Sequence, residues 1–123
     1  MPEFIPTKTP AGYDEFLTGY LNAVEFTECH ADNPEMQGAE FSKEFLEQAR
    51  KDCAKFTVEN YEILNQAGSP AQNGTDFWFT RNGHGVGFWD RGYPTEISKP
   101  LTKAAHSFGE LCPYVGDDGL IYA

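Results

Sequence analysis

Residues 76–92 constrain the fold of this chain more than any other stretch. They read Asp-Phe-Trp-Phe-Thr-Arg-Asn-Gly-His-Gly-Val-Gly-Phe-Trp-Asp-Arg-Gly. Both tryptophans, three of the ten phenylalanines and two of the three arginines of the 123-residue chain lie here. Two aromatic runs, Phe77-Trp78-Phe79 and Val86-Gly87-Phe88-Trp89, flank Arg81-Asn82-Gly83-His84-Gly85. Aromatic and β-branched side chains suit a pleated, half-buried surface, and Asn-Gly favours a tight reversal. The pattern predicts a β-hairpin at the centre of a small sheet.

Elsewhere the helical period dominates. Thr9 can cap a helix and Pro10 fits its first turn. Tyr13, Phe16, Leu17, Tyr20, Leu21 and Val24 then make an apolar stripe, which predicts a first helix over 10–26. A polar, acidic connection follows over 27–40. Ser42 reads as the cap of a second helix, with Phe41 and Leu46 in the two positions of a hydrophobic staple. Phe45, Ala49, Cys53, Phe56, Asn60 and Ile63 recur at helical spacing, so Cys53 should face the core; Gly68 and Pro70 end the helix. Ser98 reads as the cap of a third helix, with Pro100 in its first turn, Leu101, Ala104, Ala105 and Phe108 inward, and Gly109 as its stop. Residues 113–116 and 120–122 predict two short strands around an Asp117-Asp118-Gly119 turn. The expected order is ααββαββ: one α+β domain over 1–123, with an extended lead-in over 1–9. An antiparallel sheet of three to four strands would pack against the helices.

Charge is distributed unevenly. The formal net charge is −10, and from Thr9 to Ser42 there are seven acids and no Lys or Arg. Such a surface disfavours direct contact with nucleic acid or anionic membranes and attracts basic proteins. The same acids also serve solubility. Cys29, Cys53 and Cys112 show no Cys-x-x-Cys spacing, so neither a structural zinc site nor a disulfide framework is expected. Reduced thiols in a cytosolic protein fit that spacing. Met1-Pro2-Glu3-Phe4 has no basic segment leading into an apolar run, so no signal peptide is expected, and no apolar run approaches the roughly 20 residues that span a bilayer.

Candidate chemistry is sparse. The glycine-rich run 81–87 joins two predicted strands and lacks the Lys-Ser/Thr ending of a phosphate loop; its glycines suit tight packing beside tryptophan. His84 and Asp90 could form a base and its orienting carboxylate, with Cys29, Ser107 or Cys112 as nucleophile, though no spacing selects one. Arg81 and Arg91 could bind a carboxylate or stack on tryptophan; the structural alternative is an ion pair with Asp76 or Asp90. Cys29, His30 and Asp32 are too few and too loosely placed to imply a metal. Asp117-Asp118-Gly119 lacks the further acids of a calcium loop. No catalytic residue, metal or cofactor is assigned.

The segment 76–92 resembles one shared by a group of small, uncharacterised proteins encoded by bacteriophages, prophages and plasmids. Phe79 and Val86 stand where the group has Leu and Ala. The resemblance extends to Asp52, Cys53, Phe56 and Asn60, to Ala104, Ala105, Phe108, Gly109 and Glu110, and to residues 114–119; the first helix and acidic connection match poorly. It implies a mobile-element accessory protein of the bacterial cytoplasm and brings no enzyme activity with it. The expected function is a non-enzymatic, acidic binding protein. It would inhibit a host nucleic-acid-binding protein of a defence system, such as CRISPR or restriction. Asp14, Glu15, Glu25, Glu28, Asp32 and Glu35 would face the partner's basic surface. The alternatives are a small enzyme or ligand-binding module centred on Arg81, His84, Asp90 and Arg91, or a self-associating phage protein.

Overall fold

The computed structural model describes residues 12–28, 39–83 and 87–123, with the side chains of 26–28 excepted. Among them are five α-helices and two short strands: α1 (Tyr13–Glu28), α2 (Lys43–Glu59), α3 (Tyr61–Leu64), α4 (Pro70–Arg81), a 3-10 turn (Phe88–Asp90), α5 (Thr95–His106), β1 (Tyr114–Val115) and β2 (Ile121–Tyr122). The expected ααββαββ order with a sheet of three to four strands is therefore wrong. The one sheet among the described residues is the two-stranded β1–β2 pair.

The error lies in residues 70–92. Ser69 caps α4, its Oγ accepting the Gln72 N–H at 3.2 Å, and Pro70 opens the first turn. Pro70 thus starts a helix instead of ending one. Asn73, Asp76, Phe77, Thr80 and Arg81 are buried at offsets of three and four, the helical period. Asn82 and Gly83 end the helix, with Gly83 at φ +68°. Asn-Gly serves a helix stop as well as a hairpin, because both need a residue that accepts the left-handed region.

The other helices follow the sequence more closely. Ser42 caps α2, accepting the Phe45 N–H at 3.0 Å. Phe41 stacks on Phe45, ring centroids 4.9 Å apart, where Leu46 was the expected partner. The helix stops at Asn60, short of Gly68; the Asn60 side-chain amide donates to the Phe56 carbonyl at 2.9 Å, and its non-helical backbone separates α2 from α3. Helix α5 begins at Thr95 behind Pro94, one turn before Ser98. Gly109, at φ +77°, follows its end as expected. The expected Thr9-Pro10 start of the first helix lies outside the described residues.

Helices α1 and α4 cross in direct backbone contact. A Cβ on Gly19 would lie 2.0 Å from the Ala71 carbonyl oxygen, and one on Gly74 1.9 Å from that of Phe16. Thr75 Oγ1 donates to the Gly19 carbonyl across the same crossing. This closeness brings Phe16 and Tyr20 of α1 onto Phe77 and Trp78 of α4. Phe56 of α2 stacks on Phe77 at 4.2 Å, and Phe88, Leu101, Ala105 and Ile121 complete the core.

The C-terminal hairpin forms as read, with Tyr114 opposite Tyr122 and Val115 opposite Ile121. It clamps the entry to α2: Ile121 N–H donates to the Glu40 carbonyl at 2.8 Å, and Ser42 N–H to the Ile121 carbonyl at 2.9 Å. Cys53 is fully buried as expected, and burial pushes its thiol well above the usual range, whereas Cys112 is exposed. A thiol reagent followed by peptide mass mapping should therefore label Cys112 within minutes and Cys53 only on unfolding. Equal labelling of the two in the native protein would contradict this packing.

Candidate functional site

The sequence singles out two regions as candidates: the acidic face of α1 and the segment 76–92. On α1, Phe16, Gly19, Tyr20, Ala23 and Val24 face inward, which leaves Asp14, Glu15 and Glu25 exposed. Asp14, Thr18, Asn22 and Glu25 fall on one outward stripe at offsets of four, eight and eleven. Asp14 and Glu15 also sit in the first turn, where the helix dipole favours carboxylates. Glu28 lies in the last turn with its side chain outside the description. Asp32, Glu35, Cys29, His30 and His84 lie outside the described residues.

Arg81 is structural. Its Nη1 donates to Tyr20 Oη at 3.0 Å and to Asp52 Oδ2 at 2.8 Å; its Nε reaches the Gly109 carbonyl at 2.9 Å and its Nη2 that of Phe108 at 3.0 Å. The guanidinium lies 5.6 Å from the ring centroids of both Phe77 and Phe108, and the residue is only 4% exposed. One side chain thereby ties α4 to α1, α2 and the end of α5. Burial drives the Tyr20 phenol far above its ordinary range, so it stays neutral beside the pair. The partner expected for Arg81 was Asp76 or Asp90; it is Asp52. A signal was present in the sequence: Asp52 falls between Ala49 and Phe56 on the apolar stripe with Phe45, where a charge needs a buried partner.

Arg91 does pair with Asp76. Its Nη2 lies 2.7 Å from Oδ1 and its Nε 3.0 Å from Oδ2, with the Asp76 side chain wholly buried and that of Arg91 35% exposed. Burial outweighs the guanidinium and holds the Asp76 carboxyl above its ordinary 3.8. The folded chain keeps this proton more tightly than the unfolded chain, so the stability tied to Asp76 falls as pH rises from 3.8 through the raised folded value. The melting temperature of the parent minus that of Asp76→Asn should decline across this window. A difference that rises with pH would show the ion pair outweighing burial.

Between the two arginines the chain makes the 3-10 turn. Thr80 Oγ1 accepts the Phe88 N–H at 3.2 Å, and Asp90 N–H donates to the Gly87 carbonyl at 3.0 Å. A Cβ on Gly87 would meet Thr80 Oγ1 at 2.4 Å and the Trp89 ring at 2.6 Å, so glycine is required there. The two tryptophans separate: Trp78 is buried in the core, while Trp89 is 43% exposed. Asp90 is exposed beside it.

The structure does not bring Arg81 and Arg91 together. One points into the junction of α1, α2 and α5, the other to Asp76 on a different face of α4. Clefts among the described residues lie elsewhere, two of them along the helices. One of about 200 Å³ lies between α1, α3 and α4 and is lined by Tyr13, Tyr61, Leu64, Asn65 and Asn73. The other, of about 260 Å³, lies beside α2 and β2, with Tyr20, Glu44, Gln48, Leu111 and Tyr122. Neither arginine lines either cleft. Among the described residues no three His, Cys, Asp or Glu converge as metal ligands, and no helix is long and apolar enough to cross a membrane. Set against known proteins, the chain matches no family model, no curated protein and no solved structure.

Proposed function

We propose that this chain is a non-enzymatic, mobile-element accessory protein of the bacterial cytoplasm. It binds a basic host protein through its acidic surface and keeps that protein from nucleic acid, as an inhibitor of a CRISPR or restriction system would. The observation that carries this reading is the contrast in where charge resides. The arginines of 76–92, on which a reaction centre there would draw, are each engaged by a carboxylate of the fold, Arg81 by Asp52 in the interior and the part-exposed Arg91 by the buried Asp76, whereas Asp14, Glu15 and Glu25 stand in solvent. Exposed carboxylates can occupy the Lys and Arg side chains of a partner that otherwise hold phosphates, supplying steering and specificity.

The tagged protein should capture a basic protein from bacterial lysate at low salt and release it at high salt. A folded variant carrying Asp14→Lys, Glu15→Lys and Glu25→Lys should bind that protein at least about tenfold more weakly. Undiminished capture by the folded variant would remove the electrostatic basis of this function.

A further inference from the structure

We propose that Trp89 and Asp90 together form the contact point for an arginine or lysine side chain of the partner protein. This rests on the reading of the chain as an acidic binder of a basic protein, and it places the contact at a site apart from the α1 carboxylates.

The first support is the exposure of Trp89. An indole is a large apolar group that the core of this protein accommodates well, as Trp78 demonstrates eleven residues earlier. Trp89 instead stands 43% exposed. Tryptophan at a surface is the side chain most enriched among residues that dominate protein interfaces.

The second support is how firmly it is held. Phe88 is wholly buried on one side of it, and its N–H is fixed by Thr80 Oγ1. Arg91 on the other side is anchored to the buried Asp76 carboxylate by three contacts. Gly87 lets the indole lie against the backbone, where any Cβ would collide with it. A buried carboxylate is a costly anchor for one turn; what it achieves is a fixed geometry. An indole presented in one orientation loses little freedom on binding, which favours affinity.

The third support is charge. Arg91 is hydrogen-bonded to Asp76; the exposed Asp90 carboxylate acts on both at longer range but forms no close ion pair among the described residues. An exposed indole followed in the same turn by an exposed carboxylate suits a side chain with an apolar stem or flat cation and a positive end. The ring quadrupole attracts the cation and the carboxylate accepts its N–H groups. Arginine satisfies both demands at once, since its planar guanidinium stacks and forks.

The test is a titration of the ¹⁵N-labelled protein with a hexa-arginine peptide, followed through the two indole N–H signals. Trp89→Phe assigns them, and the buried Trp78 is the internal reference. The Trp89 indole and the Asp90 amide should shift saturably while the Trp78 indole stays still. The uncharged hexa-citrulline peptide should leave both unmoved. Asp90→Asn should weaken the arginine peptide by about tenfold without changing the melting temperature. Shifts confined to Asp14, Glu15 and Glu25 would overturn this site and leave the acidic-binder reading standing. Trp89 shifts of equal size with the citrulline peptide would make the contact apolar and overturn the assignment of a basic side chain. No shift anywhere would overturn both.

Discussion

Gly74→Ala should destabilise the protein by about 3 kcal/mol or more, lowering the melting temperature by roughly 10 °C. The sign of this result is informative. Gly74 lies inside α4, and helix propensity by itself makes alanine the better residue there by about 1 kcal/mol. The tertiary contact says the opposite, because the new Cβ would lie 1.9 Å from the Phe16 carbonyl oxygen. That atom belongs to the α1 backbone, so no rotamer change relieves the overlap and the two helices must part. Parting them loosens Phe16 and Tyr20 from Phe77 and Trp78, the centre of the core. Gly92→Ala is the comparison: nothing lies within 4 Å of its Cβ, but φ is +78°. That variant should cost only about 1 kcal/mol, the strain of a left-handed alanine. A stabilised Gly74→Ala, or equal losses in the two variants, would show that α1 and α4 do not cross as closely as described.

Arg81→Met should cost about 3–5 kcal/mol, although methionine fills much of the same volume. The loss comes from what remains. Asp52 would keep a charge that is only 13% exposed, Tyr20 Oη would lose its donor, and the Phe108 and Gly109 carbonyls would lose theirs. The double variant Arg81→Met with Asp52→Leu should recover much of the stability, because the unpaired charge goes with its partner. Chemical denaturation of the two single variants and the double variant measures this coupling. Strictly additive losses would mean that the Asp52–Arg81 pair contributes nothing beyond its separate parts. Because Arg81 also carries the link to α5, its single variant should loosen 108–112 first, visible as faster amide exchange of Leu111, whose N–H is held by Asn82 Oδ1.

Local signals carried much of this. The α1 stripe, the Ser42 cap, the inward Cys53, the stop at Gly109 and the turn at 117–119 each depend on a few neighbouring residues with one local solution. The Asp76–Arg91 pair was legible too, because both members lie within one segment. Residues 70–92 were not legible in the same way. Phe77-Trp78-Phe79 has strand composition, yet three consecutive aromatics also fit a helix buried on two sides, with Phe77 and Trp78 inward and Phe79 half-buried. Ser69-Pro70 has the form of a helix start, the same form read as a start at Thr9-Pro10, and it was overshadowed by the stop that Gly68 and Pro70 imply for α2. Composition then decided for strand where capping chemistry decided for helix.

What the sequence determined by itself was the amphipathic α1, the acid-rich first half with its exposed carboxylates, the capped start of α2 and the C-terminal hairpin. These follow from period, caps, turns and charge, which act over a few residues or over none. Tertiary structure decided the rest: that Asp52, 29 residues away, neutralises Arg81; that Gly19 and Gly74 let two helices touch; and that Trp78 enters the core while Trp89 remains outside. Each depends on which surfaces meet in space. The same Trp, Gly and Arg residues satisfy several local conformations equally well until the packing of distant helices makes one of them lowest in free energy.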